Sequence, residues 1–221
     1  MKLIAVETAR AIWLFPLQEL NPAGLSLTEV FASFTERYSF KKSPKHMLDL
    51  DDEKSLTFAE GEFKTSNGIE ISIKLKIYTD GFVADCWSST KDSQEFLEDA
   101  MRWLKADYGL GLPDDRSIKN LNLSALTVTT DKKLVSLNPK LTSFVDELTA
   151  RVGNRYGDNT GFNVGGISIE SNEQRRPNAP PPFRFENKAG SSPSEKRYFT
   201  QAALPTDAHL ELLEKFENIL D

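Results

Sequence analysis

A chain of 221 residues, 39% hydrophobic and 27% charged, can bury a core without covalent staples and fits one large domain or two small ones. One Cys and two His exclude an internal disulfide and a Cys/His zinc site, so a non-disulfide cytoplasmic protein without metal or cofactor is expected. The net charge of −6 speaks against a broad phosphate-backbone interface, and no apolar run reaches the roughly 18 residues of a membrane span.

Residues 3–15 hold no turn former and read as a first strand. Ser26-Leu27-Thr28-Glu29 is a capping box. Leu27, Val30, Phe31, Phe34 and Tyr38 form the apolar stripe of a helix running to about Phe40, and Pro44 forbids its continuation.

Residues 69–77 set Ile69, Ile71, Ile73, Leu75 and Ile77 against Glu70, Ser72, Lys74 and Lys76, the alternation of a half-buried strand. Asn67-Gly68 and Asp80-Gly81 flank it as hairpin turns. The apolar pattern selects a three-residue loop, Ser66 to Gly68. Phe63 then faces Ile71, Ala59 faces Leu75, Lys64 faces Glu70 and Glu60 faces Lys74. A two-residue turn at Asp80-Gly81 sets Leu75 opposite Cys86 and Lys76 opposite Asp85. Ser88-Ser89-Thr90 caps a helix near 91–108, striped by Phe96, Leu97, Ala100, Met101, Trp103, Leu104 and Tyr108 and stopped by Gly109.

The second half repeats the order. Residues 119–130 read as a strand. Asn138-Pro139 opens a helix whose stripe is Leu141, Phe144, Val145, Leu148 and Val152. Strands follow at 162–170, 182–187 and 196–203. Thr206-Asp207 opens a last helix that buries Leu210, Leu212, Leu213, Phe216, Ile219 and Leu220 and turns His209 to solvent. Leu20-Asn21-Pro22 and Leu137-Asn138-Pro139 recur at an offset of 117 residues, Arg37-Tyr38 and Arg155-Tyr156 at 118, and Asp92 and Asp207 at 115.

The fold expected is α+β: an antiparallel sheet with about four helices, built by duplication of a β-α-β-β-β-α unit over residues 1–112 and 113–221. The alternative is a ferredoxin-like βαββαβ unit with a C-terminal extension. Residues 171–195, rich in Pro, Gly and Ser, read as long connections around a short strand. Duplicated units of this order resemble the TATA-binding-protein architecture at the level of the fold, although no motif of that family is matched residue by residue. The acidic charge speaks against the family's DNA function. That charge lies mostly in residues 1–112, with 13 basic and 18 acidic side chains against 14 and 15 in residues 113–221. Nucleic acid is therefore least firmly excluded for the second half.

No catalytic constellation stands out. Asp52 upstream of Glu62-Phe63-Lys64 matches the outline of a restriction-type, metal-dependent nuclease, which gathers carboxylates on a metal beside a Lys; the acidic run Asp49 to Glu53 otherwise reads as a solvated loop. Gly165-Gly166 reads as a bulge within its strand. The register puts Phe58, Tyr78, Val83 and Trp87 on the outer face of the meander, where apolar area needs a cover or a partner. Arg175-Arg176, before the Pro180-Pro181-Pro182 run, is a second partner candidate. The function expected is non-catalytic binding of another protein, as an accessory subunit or an inhibitor, with a homo-oligomer as a related possibility and the nuclease as the alternative.

Overall fold

A computed structural model describes residues 1–20, 26–46, 48–111, 118–157, 161–172 and 179–220. Among them are β1 (Lys2–Leu14), α1 (Leu27–Arg37), β2 (Leu56–Lys64), β3 (Glu70–Tyr78), β4 (Gly81–Cys86), α2 (Thr90–Tyr108), β5 (Lys119–Thr129), α3 (Pro139–Tyr156), β6 (Gly166–Ile169), β7 (Phe183–Asn187), β8 (Arg197–Ala202) and α4 (Thr206–Ile219), with short 3-10 turns between. The order β-α-β-β-β-α runs twice. Three strands separate α1 from α2, where a ferredoxin-like unit would have two. The eight strands hydrogen-bond antiparallel in the order β2-β3-β4-β1-β5-β8-β7-β6, an α+β fold. No helix among the described residues is long and apolar enough to cross a membrane. The chain divides into two compact units, Val6–Ser124 with Ala203–Asp207, and Met1–Ala5 with Ala125–Ala202 and Ala208–Asp221.

The first-half unit holds the dense core. On its inner face Ala9, Ala11 and Trp13 of β1 pair with Cys86, Ala84 and Phe82 of β4, and Ile73 and Leu75 of β3 continue the layer, all buried. α1 lays Val30, Phe31 and Phe34 on it, and α2 adds Phe96, Leu97, Ala100, Met101 and Leu104. Aromatic rings fill the space between. Phe34 meets Phe58 at 5.2 Å and Phe40 at 5.7 Å, and Tyr38 meets Phe96 at 5.0 Å, edge and offset geometries that add to area burial. Helix ends follow their sequence signals unevenly. Ser89 caps α2 by accepting from the Asp92 N–H, and Gly109 closes it left-handed. Ser26 sits at the N-cap of α1 without a side-chain bond, so the expected capping box is not made. The Asn21-Pro22 end of the repeat motif lies outside the described residues.

Two registers differ from the sequence expectation, for different reasons. At the β2–β3 hairpin Phe63 faces Ile71 and Lys64 faces Glu70 as expected, but a bulge between Phe58 and Gly61 then sets Phe58, not Ala59, opposite Leu75. Two residues, Ala59 and Glu60, stand where the ladder has room for one. Glu60 takes a left-handed φ of 58°, and Ala59 bridges to Lys42 instead. A one-residue slip turns every side chain beyond it to the other face. Phe58 therefore points into the core, 1% exposed, correcting its placement on the outer face. Gly61 is needed here because the Phe40 ring lies 2.4 Å from where a Cβ would stand.

At the second hairpin the turn is Thr79-Asp80, and Tyr78 pairs with Gly81. Leu75 thus faces Ala84 rather than Cys86, and Lys74 rather than Lys76 faces Asp85. This shift is of two residues, so the faces are preserved. Gly81 serves the strand, not the turn: its φ is +150°, and a Cβ would lie 2.0 Å from the Trp13 carbonyl oxygen.

The second-half unit has a thinner core: Leu126, Val128, Leu134, Phe185, Ala202, Leu213 and Leu220 are its main buried apolar side chains. α4 turns Leu213 inward beside His209, which is fully buried with Nε2 2.9 Å from Thr200 Oγ1. His209 thus departs from its expected solvent position, while Leu212 and Ile219, expected inside, are exposed. The inward stripe runs through His209, Leu213 and Phe216 at helical spacing. β6 begins at Gly166 and pairs regularly with β7, with no bulge; the Gly lets Glu186 approach to 2.7 Å from a Cβ position.

Candidate functional site

The outer face of the first-half sheet carries most of the side chains the sequence singles out. Arg10 of β1 and Asp85 of β4 are cross-strand partners. They form a two-pronged ion pair, Nε to Oδ1 at 2.6 Å and Nη2 to Oδ2 at 2.9 Å, a geometry suited to guanidinium and carboxylate. Asp85 thus pairs with Arg10, not with the Lys76 expected from sequence. Lys76 instead reaches Glu53 Oε2 at 2.6 Å, and the Tyr78 hydroxyl donates to the same oxygen at 2.9 Å.

Glu53 sits on a loop that folds over this face, and Asp51 fastens the loop. Asp51 accepts from the Thr57 hydroxyl at 2.7 Å, from the Ser55 hydroxyl at 2.7 Å and from the Ser55 N–H at 2.9 Å. These donors hold the Asp51 carboxyl well below the usual carboxylate range, and Lys76 with Tyr78 lowers Glu53 likewise. Both groups are tuned to stay ionised, which suits pairing and opposes general acid work.

Through Glu53 the loop covers part of this face, over Lys76 and Tyr78. Tyr78 and Val83 are half-buried, and Lys76 is buried although it points outward. Trp87, just past β4, escapes the cover at 55% exposure. Of the four outer-face candidates, then, Phe58 is core, Tyr78 and Val83 are partly covered, and Trp87 is open. Arg175 and Arg176 lie outside the described residues.

The nuclease outline is not gathered into a site. The anchors of Asp51 and Glu53, at Thr57 and Lys76, keep Asp52 at that end of the hairpin. Glu62 stands opposite Ser72, four β3 positions from Lys76, or about 13 Å along the strand. Lys64 is paired across the strands with Glu70. Among the described residues no group of three His, Cys, Asp or Glu could hold a metal ion. Cys86 is fully buried and bonded by the Ser93 hydroxyl at 3.1 Å, a structural thiol rather than a nucleophile.

Sequence reasoning missed one surface. α3 carries the expected stripe, yet none of its described side chains is buried: Leu141 and Phe144 are exposed, Phe144 at 61%, and Val145, Leu148 and Val152 are half-buried. Its ends are well formed. Asn138 accepts from the Lys140 N–H, and Gly157 closes the helix left-handed. The periodic stripe was the available signal; it says that a face wants burial, not what buries it.

No protein-family model matches the sequence, and no curated protein matches it. Among solved structures, the chain is similar to Methanococcus jannaschii TBP at 11% identity and a TM-score of 0.40, over 99% of this chain and 96% of that one.

Proposed function

We propose that this protein acts without catalysis, by binding another protein, as an accessory subunit or an inhibitor. One observation carries the reading: α3 is a formed, capped helix of 18 residues whose apolar stripe is only partly covered among the described residues, with Leu141 and Phe144 exposed. The repeated element order sharpens the point. α1 holds the same place in its half and buries Val30, Phe31 and Phe34 against its own sheet. Its closing Arg37-Tyr38 leaves Tyr38 3% exposed. The matching Arg155-Tyr156 of α3 leaves Tyr156 77% exposed.

A stripe at i, i+3, i+4, i+7 and i+11 is what an amphipathic helix lays into a partner's apolar groove. Leu141, Phe144, Leu148 and Val152 are the anchors. Co-purification from the native host tests this. Phe144→Asp and Leu148→Asp should abolish capture of a native partner while the circular dichroism spectrum stays that of the folded chain. Capture that survives both changes sinks the α3 assignment. Sedimentation of the purified chain separates the homo-oligomer: a dimer that Phe144→Asp makes monomeric means that the partner is a second copy.

A further inference from the structure

β2 and β6 form the two edges of the sheet. They hold the same place in the repeated order, each being the strand that follows the first helix of its half. The β2 edge is closed. Ala59 and Lys42 exchange backbone hydrogen bonds of 2.8 and 3.2 Å, and the Glu62 N–H donates to the Tyr38 carbonyl at 2.7 Å. The bulge beside Gly61 and the charges of Glu60, Glu62 and Lys64 further oppose a foreign strand. The covering residues belong to the connection between α1 and β2, residues 38–55. The connection between α3 and β6, residues 157–165, is half as long. Among the described residues β6 has β7 as its one strand neighbour.

The β6 edge is regular and uncharged. Gly166, Ile167, Ser168 and Ile169 pair in step with Glu186, Phe185, Arg184 and Phe183. The Asn187 N–H donates to the Gly165 carbonyl at 2.8 Å. Alternation then gives the β7 bonds to Ile167 and Ile169 and turns the N–H and C=O of Gly166 and Ser168 away from β7. Ile167 and Ile169 share a face with Phe185 and Phe183, whose rings pack on Phe216 of α4. Ile169 is nevertheless 59% exposed, because the apolar layer ends at this strand. We propose that the β6 edge is a contact between two copies of this chain, paired antiparallel about a twofold axis at Ile167. Gly166 of one copy then faces Ser168 of the other, which satisfies every outward backbone group of β6. Ile167 meets its own symmetry mate, Ile169 lies over Gly165 of the other copy, and Glu170 faces Val164. Residues 161–169 hold no charged side chain, so two chains of net charge −6 meet here without like charges opposed. A segment that matches itself in this way is what an isologous contact requires. The surface is separate from the α3 stripe, and its failure leaves the protein-binding reading intact.

The full chain is followed by sedimentation over a wide range of concentration, with amide exchange measured at both ends of the range. Two short strands make a small contact, so reversible, concentration-dependent dimerisation is expected. The Gly166 and Ser168 amides should exchange freely in the monomer and be protected in the dimer. Ser168→Pro removes an outward N–H on each side of the axis and spares the β7 bonds. It should weaken association about tenfold or more. Ser168→Ala should leave association unchanged, and so should Phe144→Asp, which separates this contact from one through α3. A chain that stays monomeric throughout overturns the proposal. So does a dimer that survives Ser168→Pro, or one in which the Ser168 amide stays unprotected. Should Ser168→Pro disturb the fold by circular dichroism, Ile169→Lys makes the same comparison by setting a charge at an exposed position beside the axis.

Discussion

Burial of His209 makes the second-half unit sensitive to mild acid. The ring is fully buried, faces the Thr200 hydroxyl and meets Phe183 edge-on at 6.2 Å. Burial pushes its pKa from 6.5 down to about 4. The folded state therefore binds fewer protons than the unfolded one between those values. The stability gained is complete above the unfolded value and is lost as pH falls toward the folded one. A span of about 2.5 units corresponds to roughly 3 kcal/mol in all, and the step from pH 7 to pH 5 to about 2 kcal/mol.

The assay must report on the right unit. Trp13, Trp87 and Trp103 all lie in the first-half unit, so tryptophan fluorescence would miss the effect. Hydrogen exchange of α4 amides reads it locally. Wild type should lose about 2 kcal/mol of protection between pH 7 and pH 5 beyond any loss in His209→Gln. Equal losses in the two proteins would refute the argument, because shared carboxylates cancel in the difference and only the imidazole remains.

Three further outcomes test the first-half unit. Phe58→Ala should cost about 3–5 kcal/mol in urea unfolding, as a ring lost from a packed core, and Trp87→Ala within about 0.5 kcal/mol; similar values for the two would deny the bulge that separates their faces. Gly81→Ala should destabilise by more than about 2 kcal/mol, since the added carbon meets the Trp13 carbonyl and the left-handed φ disfavours it; an unchanged melting temperature would contradict that close approach. Arg10→Ala should destabilise by roughly 1–3 kcal/mol, because Asp85 is left mostly buried and unpaired, whereas Arg10→Met with Asp85→Leu should recover much of the loss; a double mutant as damaged as the single would show that the strands need the ion pair itself.

The extent to which the fold is readable varies with the kind of interaction that decides each feature. Element order follows from local signals: the alternation of residues 69–77, the Ser89 cap and the Asn138-Pro139 start all sit within a few residues of what they specify. The face of Phe58 does not follow. It depends on Lys42 bridging Ala59 and on the Phe40 ring claiming the space over Gly61, contacts some 20 residues away that no alternation encodes. Asp85 found Arg10 because β1 lies beside β4, a neighbour that the hairpin register alone cannot supply. His209 went astray because a polar residue in a first helical turn reads as solvated, while Thr200 on β8 provides a buried partner.

The two helices α1 and α3 show why a repeated order need not give a repeated core. α1 brings Phe31, Phe34 and the adjoining Tyr38 into a space already lined by Phe40, Phe58, Phe63 and Phe96, and such rings supply large buried area with few rotors to freeze. The stripe of α3 offers one ring, Phe144, among aliphatic side chains, and Phe185 is the one fully buried Phe, Tyr or Trp among the described residues of its unit. Packing the stripe of α3 inward therefore returns less apolar burial than packing that of α1. α3 nevertheless has the apolar spacing, the Asn138 cap and the Gly157 stop of a well-formed helix. The exposed part of that face, Leu141 and Phe144, is the apolar area that the proposed partner would cover.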